Sequence, residues 1–285
     1  MFKIDHDLHN HSGLSLCSAD HSFSAKHILD HAAEVGYKMI ALTNHTWDGM
    51  IPGATPYYQQ QGLDHIKKAL PLPSHEGIEF LFGCETEYCG GDRLALHPSH
   101  YDDFDIIIVP TNHFSGQLGL VCPSELDNAN DWMYLQIERL EELLRIDLPY
   151  ERVGIAHLQW FEADKEHIPS ILAHEKRYYN VFKEYANRGA GIELNASAFK
   201  YTAPDEREAY EALNPRKKYS QCVSYDKMLW LFSIAKDAGC KFYVGSDSHT
   251  SERLDWPKKY LPRIIKDLGL TENDKFIPVG GKRNA

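Results

Sequence analysis

The chain has 285 residues, 43% of them hydrophobic, and a formal net charge of -11 from 41 Asp and Glu against 30 Lys and Arg. Its length lies above the usual single domain but within the range of α/β barrels. The acid excess argues against capture of nucleic acid or of an anionic membrane, though not against a small phosphorylated partner beside bound cations. No apolar run approaches the ~20 residues that span a bilayer, and Met1-Phe2-Lys3-Ile4-Asp5 offers no secretory segment. The six cysteines are scattered without CxxC spacing. Reduced thiols and a cytoplasmic protein are therefore expected. Histidine, at sixteen residues, is the compositional outlier, and it is the commonest metal ligand.

In chain order, the first strand is expected over Lys3–Asp7, followed by His9 and His11. A helix over Ser24–Val35 starts on a Ser N-cap and stops at Gly36. The second strand, Met39–Thr43, runs into Asn44 and His45. The third, Glu79–Gly83, runs into Cys84 and Glu85. A polar excursion over Cys89–Asp105 precedes the fourth, Ile106–Thr111, which leads to Asn112 and His113. A helix over Trp132–Ile146 follows. The fifth strand, Arg152–Ala156, ends at His157, and a helix over Ile168–Arg188 ends at Gly189. The sixth strand, Gly191–Leu194, carries Glu193 and leads to Asn195. A charged loop over Tyr201–Val223 and a helix over Ser224–Ala238 precede the seventh, Lys241–Val244. That strand runs into Gly245-Ser246-Asp247-Ser248-His249.

Strand–helix alternation implies parallel strands with right-handed crossovers. Seven units point to a barrel, with an open doubly wound sheet giving a similar pattern. No linker divides the chain, so a single domain over 1–285 is expected, with its core at 3–270 and a frayed tail at 278–285. The segments Pro52–Pro73 and Tyr201–Val223 read as loops lining a pocket or an interface.

Side chains at i and i+2 of an extended segment point the same way. His9 and His11 thus reach one point, as do Asp247 and His249, and only a closed fold unites the two pairs. In parallel barrels the C-terminal strand ends converge. Here each such end supplies a histidine, a carboxylate or another polar group. A single histidine there would be ordinary packing, but the set reads as a metal site for zinc, manganese or iron.

The motifs resemble those of the PHP (polymerase and histidinol phosphatase) superfamily. Asp7-Leu8-His9-Asn10-His11-Ser12 is similar to its first motif and Ala41-Leu42-Thr43-Asn44-His45 to its second. Ala156-His157 is similar to the third and Gly245-Ser246-Asp247-Ser248-His249-Thr250 to the fourth. The resemblance implies a distorted (β/α)7 TIM-like barrel with three divalent metals at the C-terminal strand ends. It implies that His9, His11, Glu85 and Asp247 hold the first metal. Glu85 then bridges to a second with His113 and His157, and His45 and His249 hold a third. One further ligand comes from Ser12–Ser22, where Cys17, Asp20 and His21 compete. Spacing back from His45 and ligand hardness favour Asp20, while forward spacing from His11 favours Cys17. Glu193, Asn195 and Asn44 are expected just behind the ligands. Asn44 replaces the family's usual Asp, and His157 is followed by Leu158 rather than Pro. Trp160 and Phe161 stand as a candidate apolar wall.

The implied activity is hydrolysis of a small phosphomonoester by a metal-bridging hydroxide held by His9, His11, Glu85, His113, His157 and Asp247. Lys200, Arg253 and Arg93 are candidate phosphate contacts. Lys200 stands where histidinol-phosphatase-like members carry Arg, which shifts the expected specificity. Competing readings are a phosphodiesterase or nuclease, a hydrolase of an amide or lactone, and a non-catalytic metal-binding module.

Overall fold

In a computed structural model of the chain, the described residues are 1–111, 113, 129–158, 174–203, 205–206 and 225–279, with 129–134 described by backbone only. Asn112, Trp160, Phe161 and most of the loop after Tyr201 lie outside them. Eight strands form one sheet: β1 (His6–Asp7), β2 (Met39–Leu42), β3 (His45–Thr46), β4 (Glu79–Thr86), β5 (Ile106–Pro110), β6 (Val153–Ala156), β7 (Gly191–Asn195) and β8 (Lys241–Gly245). Pairing is parallel throughout, in the order β1-β2-β4-β5-β6-β7-β8, with β3 joined to β4 beyond the end of β2. This is the expected α/β architecture, a nearly closed seven-stranded barrel.

Two strands differ from their sequence limits by three residues, the other expected ones by one. β1 is only two residues long, and β4 continues to Thr86, three residues past the expected end. The apolar run stops at Gly83, but His45 and Thr46 pair with Glu85 and Thr86 and extend the ladder. Helix ends follow their signals more closely. The helix Ala25–Val35 follows Ser24 and closes on Gly36 at φ 75°. The helices Glu175–Arg188 and Tyr225–Asp237 are followed by Gly189 and Gly239, at φ 84° and 90°. Each glycine adopts the left-handed conformation that ends a helix without a Cβ penalty. Among the described residues no helix is long and apolar enough to cross a membrane.

The strands are buried on both faces. Leu8, Ala41, Leu81, Ile106, Ile108, Ala156, Tyr243 and Phe276 form the inner cluster. A larger cluster packs the outer faces of β4 to β8 against the helices Glu175–Arg188 and Tyr225–Asp237. Gly154 is small for a reason: a Cβ there would lie 2.6 Å from the Tyr243 hydroxyl oxygen. The segment after residue 270 belongs to the inner layer as well. The Phe276 N–H donates to Phe242 O at 2.7 Å, and its ring lies where a Cβ on Gly191 would be, 2.5 Å away. Gly191 opens β7, so Phe276 fills the end of the barrel opposite the strand C-termini.

The seam between β1 and β8 closes the ring with few ladder bonds. Leu8 N–H donates to Val244 O at 2.9 Å. Side chains supply the rest: Val244 N–H donates to His6 Nε2 at 3.1 Å, and Ser246 N–H to Asp7 Oδ1 at 2.9 Å. His6 is buried, and burial lowers its pKa, so the neutral ring is the one that accepts from Val244.

His6→Ala should cost about 1–3 kcal/mol by leaving the Val244 N–H without an acceptor. The deficit relative to wild type, read from urea unfolding, should shrink below about pH 6.5. There the unfolded wild-type chain takes up a proton that the folded chain refuses. Phe276→Ala should cost about 3–5 kcal/mol by the same measurement.

Candidate metal centre

The strand C-termini deliver their ligand-type side chains to one point. Past β1, the chain pairs with the segment after β8: Asp247 N–H donates to His9 O at 2.9 Å and His11 N–H to Ser248 O at 2.8 Å. Two non-glycine residues of the site adopt left-handed backbone, His157 at φ 59° and Asp247 at φ 51°. Such conformations cost free energy and persist where surrounding bonds over-determine them. Here the restraints are the bond to His9 O and that from His157 N–H to Glu193 Oε2, 3.0 Å long.

Glu85 sits at the middle, fully buried. Its Oε1 is 3.5 Å from His9 Nε2 and 3.8 Å from His157 Nε2, and its Oε2 is 3.3 Å from His11 Nε2 and 2.8 Å from His45 Nδ1. Asp247 faces it, with Oδ1 3.3 Å from His11 Nε2 and Oδ2 3.5 Å from His157 Nε2. Four overlapping groups have their donor atoms within 4.8 Å of one another: His9, His11 and Glu85; His9, His157 and Asp247; Glu85, His113 and His157; and His11, His45 and His249.

These separations test whether a metal fits. Ligand atoms about 2.0–2.1 Å from a tetrahedral ion lie about 3.3 Å from each other. His9 Nε2 and His11 Nε2 are 3.1 Å apart, and most of the nitrogen–carboxylate distances fall between 3.3 and 3.8 Å. Neither Glu85 oxygen makes a hydrogen bond, despite the imidazoles around it. Lone pairs crowded at coordination distance without hydrogen-bond geometry are what a shared cation would satisfy.

A surrounding layer aims the rings. His9 Nδ1 donates to Glu193 Oε1 at 2.7 Å, His113 Nδ1 to Glu87 Oε1 at 2.7 Å, and His249 Nδ1 to Asp247 O at 3.0 Å. Ser15 Oγ donates to Asn44 Oδ1 at 3.0 Å, which leaves it to accept from His11 Nδ1 at 3.1 Å. In all four rings the tautomer set by these partners leaves the Nε2 lone pair for a metal. Glu193 is held in turn by Asn195 Nδ2 at 3.2 Å. It reaches His9 across Gly245, where a Cβ would lie 2.2 Å from Glu193 Oε1. Asn44 Oδ1 also accepts from the Ser12 N–H at 2.8 Å, so the amide in place of Asp still organises the first motif.

Glu87, which the sequence motifs left aside, also reaches the cluster. It is buried, and the Tyr58 hydroxyl donates to it while it holds His113. Its signal was periodicity, because i+2 on a strand places it on the same face as Glu85.

The charges compete strongly. Burial alone would raise Glu85, but His45 and His9 hold its carboxyl well below the usual range. Asp247 is likewise held low against burial by His11 and His157. Burial and the neighbouring His249 and His45 drive His11 well below the ordinary histidine value. Burial opposes charge on His9 and His45 as well. There Glu193 and Glu85 prevail at His9, and Glu85 at His45, and both rings rise well above that value.

Of the candidates over Ser12–Ser22, the structure does not bring Asp20 to the cluster. Asp20 is exposed, and its Oδ1 accepts from the Ser22 N–H at 2.8 Å and the Ser22 hydroxyl at 2.6 Å. His21 is also exposed and donates from Nδ1 to Gly13 O at 3.2 Å. Cys17 is exposed as well; desolvation raises its thiol, but the neighbouring His249 and His45 rings bring it down to about 5. The structure thus leaves the expected Asp20 apart from the other ligand-type side chains, its carboxylate taken up by a local turn.

The basic candidates divide. Lys200 Nζ lies 4.1 Å from the Trp256 ring centroid and 3.6 Å from Glu206 Oε2. Arg253 also faces Trp256, at 5.1 Å. Both follow strand C-termini, β7 and β8, and so stand on the side of the barrel that carries the site. Arg93 is exposed, and its guanidinium reaches Cys89 O at 3.5 Å.

Comparison with known proteins follows this geometry. A family model described as PHP domain matches residues 7–266. A histidinol phosphate phosphatase from Lactococcus lactis subsp. lactis Il1403, solved with zinc, L-histidinol and phosphate, aligns at TM-score 0.51 and 13% identity over 96% of this chain and 98% of that one. A triazine hydrolase from Arthobacter aurescens aligns at TM-score 0.36 and 14% identity over 97% of this chain and 72% of that one. A 7,8-dihydropteroate synthase from Vibrio fischeri ES114 aligns at TM-score 0.37 and 14% identity over 95% and 96%. The last two scores do not establish a common fold. No curated protein sequence matches significantly.

Glu193→Gln should weaken divalent-metal affinity by about 10–100-fold, because His9 loses its carboxylate partner. Asp20→Ala should leave metal content unchanged, as measured by elemental analysis. To become ligands, His9 and His45 must give up protons that their raised pKa values retain. Metal affinity should therefore climb with pH, with proton release seen by calorimetry in buffers of different ionisation enthalpy.

Proposed function

The chain belongs to the PHP domain family, and from that membership we propose that it is a metal-dependent phosphoesterase that hydrolyses a small phosphomonoester. The observation that carries this reading is Glu85, one buried carboxylate shared by imidazoles from several strand ends. The donor groups support three divalent positions. His9, His11, Glu85 and Asp247 would hold the first, Glu85, His113 and His157 the second, and His45 and His249 the third. Imidazole and carboxylate suit zinc, manganese or iron alike.

Divalent ions held by these residues would lower the pKa of a bound water toward neutrality and offset charge on phosphoryl oxygens. The chain's own residues set the conditions. Glu193 and Glu87 fix the rings of His9 and His113 before substrate arrives, so no reorganisation accompanies the reaction. Ser15 and Asn44 do the same for His11. Lys200 and Arg253, both against Trp256, are the cationic groups we assign to the substrate phosphate. Lys200 recognises a phosphate as a point charge rather than through the bidentate fork of Arg. That favours a substrate whose remaining contacts come from elsewhere in the mouth.

Purified protein loaded with zinc, manganese or iron should hydrolyse p-nitrophenyl phosphate, and a chelator should stop it. His9→Ala and Asp247→Ala should abolish turnover and lower metal content together. Absence of turnover with all three metals at full occupancy would sink the proposal. Lys200→Ala should raise KM while metal content stays constant; an unchanged KM removes Lys200 from phosphate binding.

A further inference from the structure

The helix Ala196–Lys200 follows β7, and it packs against the helix Trp256–Tyr260, which follows β8 and His249. The packing sets Lys200 Nζ 4.1 Å from the centroid of the Trp256 ring, with Arg253 over the same ring at 5.1 Å. Trp256 is buried, so its ring fixes where both cations stand. A carboxylate is set beside them. Glu206 Oε2 lies 3.6 Å from Lys200 Nζ, and Oε1 accepts from the Tyr260 hydroxyl at 2.7 Å and lies 3.6 Å from Lys259 Nζ. The Tyr260 bond, with Lys200 and Lys259 nearby, holds the Glu206 carboxyl below its usual range, so it is charged at neutral pH. Neither Lys200 nor Glu206 is sealed off: their side chains are 17% and 31% exposed.

From this juxtaposition we propose that Glu206 is a specificity-determining residue. It admits a phosphomonoester with a neutral or cationic alcohol part and disfavours one whose alcohol part carries a further anion. This rests on the phosphoesterase reading above and on Lys200 as a phosphate contact. A site built for phosphate affinity alone would leave its lysine without a fixed counter-ion. Here Lys200, Arg253 and Lys259 share their surroundings with the Glu206 carboxylate, and among these four groups two positive charges remain in excess. A phosphomonoester of charge about −2 neutralises them. A phosphate on Lys200 comes to lie beside Glu206 Oε2, and a second anionic group on the same molecule meets that carboxylate at like charge. The Tyr260 hydroxyl keeps the carboxylate from turning away. Juxtaposed like charges weaken a wrong ligand more than the right one, which is how a site discriminates.

The test measures competition against p-nitrophenyl phosphate turnover by the metal-loaded full chain, so that a competitor need not itself be hydrolysed. Phosphoethanolamine, ethyl phosphate and phosphoglycolate share a phosphate on a short chain and differ in the charge at its far end. Relative to ethyl phosphate, Glu206→Gln should tighten phosphoglycolate about tenfold and weaken phosphoethanolamine. Glu206→Asp, which keeps the charge, should hold the wild-type ratios of inhibition constants. Glu206→Lys should move them further than Glu206→Gln does. Metal content should be equal in wild type and the three variants. Ratios that stay fixed overturn the proposal, and if all three constants move together Glu206 merely steadies Lys200. A shift that tracks lost metal overturns it too. A wild type that turns over no phosphomonoester with zinc, manganese or iron overturns both this proposal and the phosphoesterase reading. Normal turnover with ratios that ignore the charge on Glu206 overturns this proposal alone.

Discussion

The seam between β1 and β8 is the constraint on which the site depends. β1 has two residues, too few for a ladder that closes a barrel on backbone bonds alone. His6 and Asp7 therefore lend side-chain acceptors to Val244 and Ser246. Just beyond, the seam continues as backbone pairing, from Asp247 to His9 and from His11 to Ser248. The same bonds that shut the barrel hold His9, His11, Asp247 and His249 in register. The left-handed turn at Asp247 has its reason here: it donates to His9 O while its carboxylate is turned toward His11 and His157. Loop-closure entropy rises only slowly with length, so a contact between residues this distant in sequence is affordable.

Alternation along the strands then divides labour between carboxylates. Glu85, near the end of β4, and Glu87, just past it, are two residues apart, yet they have different partners. Glu85 touches several imidazoles through acceptor atoms that lack hydrogen bonds, whereas Glu87 spends Oε1 on His113 and receives Tyr58. Glu193 performs the holding role on β7, and it does so because Gly245 leaves room for its carboxylate. Carboxylates that stabilise imidazole N–H groups raise ligand basicity as well as fixing orientation. Replacing the holding carboxylates with amides keeps shape but removes that charge, so orientation and basicity are separable contributions.

The barrel was legible because each buried β-run ends in a residue type that belongs in water or on a metal. Ile106–Val109 is apolar throughout and leads to His113; Val153–Ala156 leads to His157. What hid from inspection was structure without periodicity. β3 is His45–Thr46, too short to carry a pattern, although it extends β4 and places Glu85. Phe276 lay past the last strand–helix unit, where nothing in spacing shows that a chain returns to fill a barrel end. Glu87 was visible as an acidic residue, but its partner Tyr58 lies on the one-turn helix Pro56–Gln59, too short to carry a pattern. The placement of Asp20 turns on a few local bonds. Ser22 satisfies the Asp20 carboxylate, while Ser15 and Ser18 bond to the backbones of His45 and His249. Ligand hardness says which atom a metal prefers in general, but not which side chain the backbone lets arrive.

Fold closure and the metal centre are thus one thermodynamic unit. Buried carboxylates and imidazoles at close range are costly unless each charge is compensated. Protons on His9 and His45 provide part of that compensation, which ties the centre to pH. Divalent charge would provide more, from a point that His9, His11 and Asp247 surround across the seam. A ligand that binds the folded chain alone stabilises it by mass action. Cations held by residues on both sides of β1 and β8 would therefore stabilise the ring where its backbone ladder is weakest. The short β1 and the dense set of ligand-type side chains belong together: a cation held there would cross-link the ring where its ladder bonds are fewest.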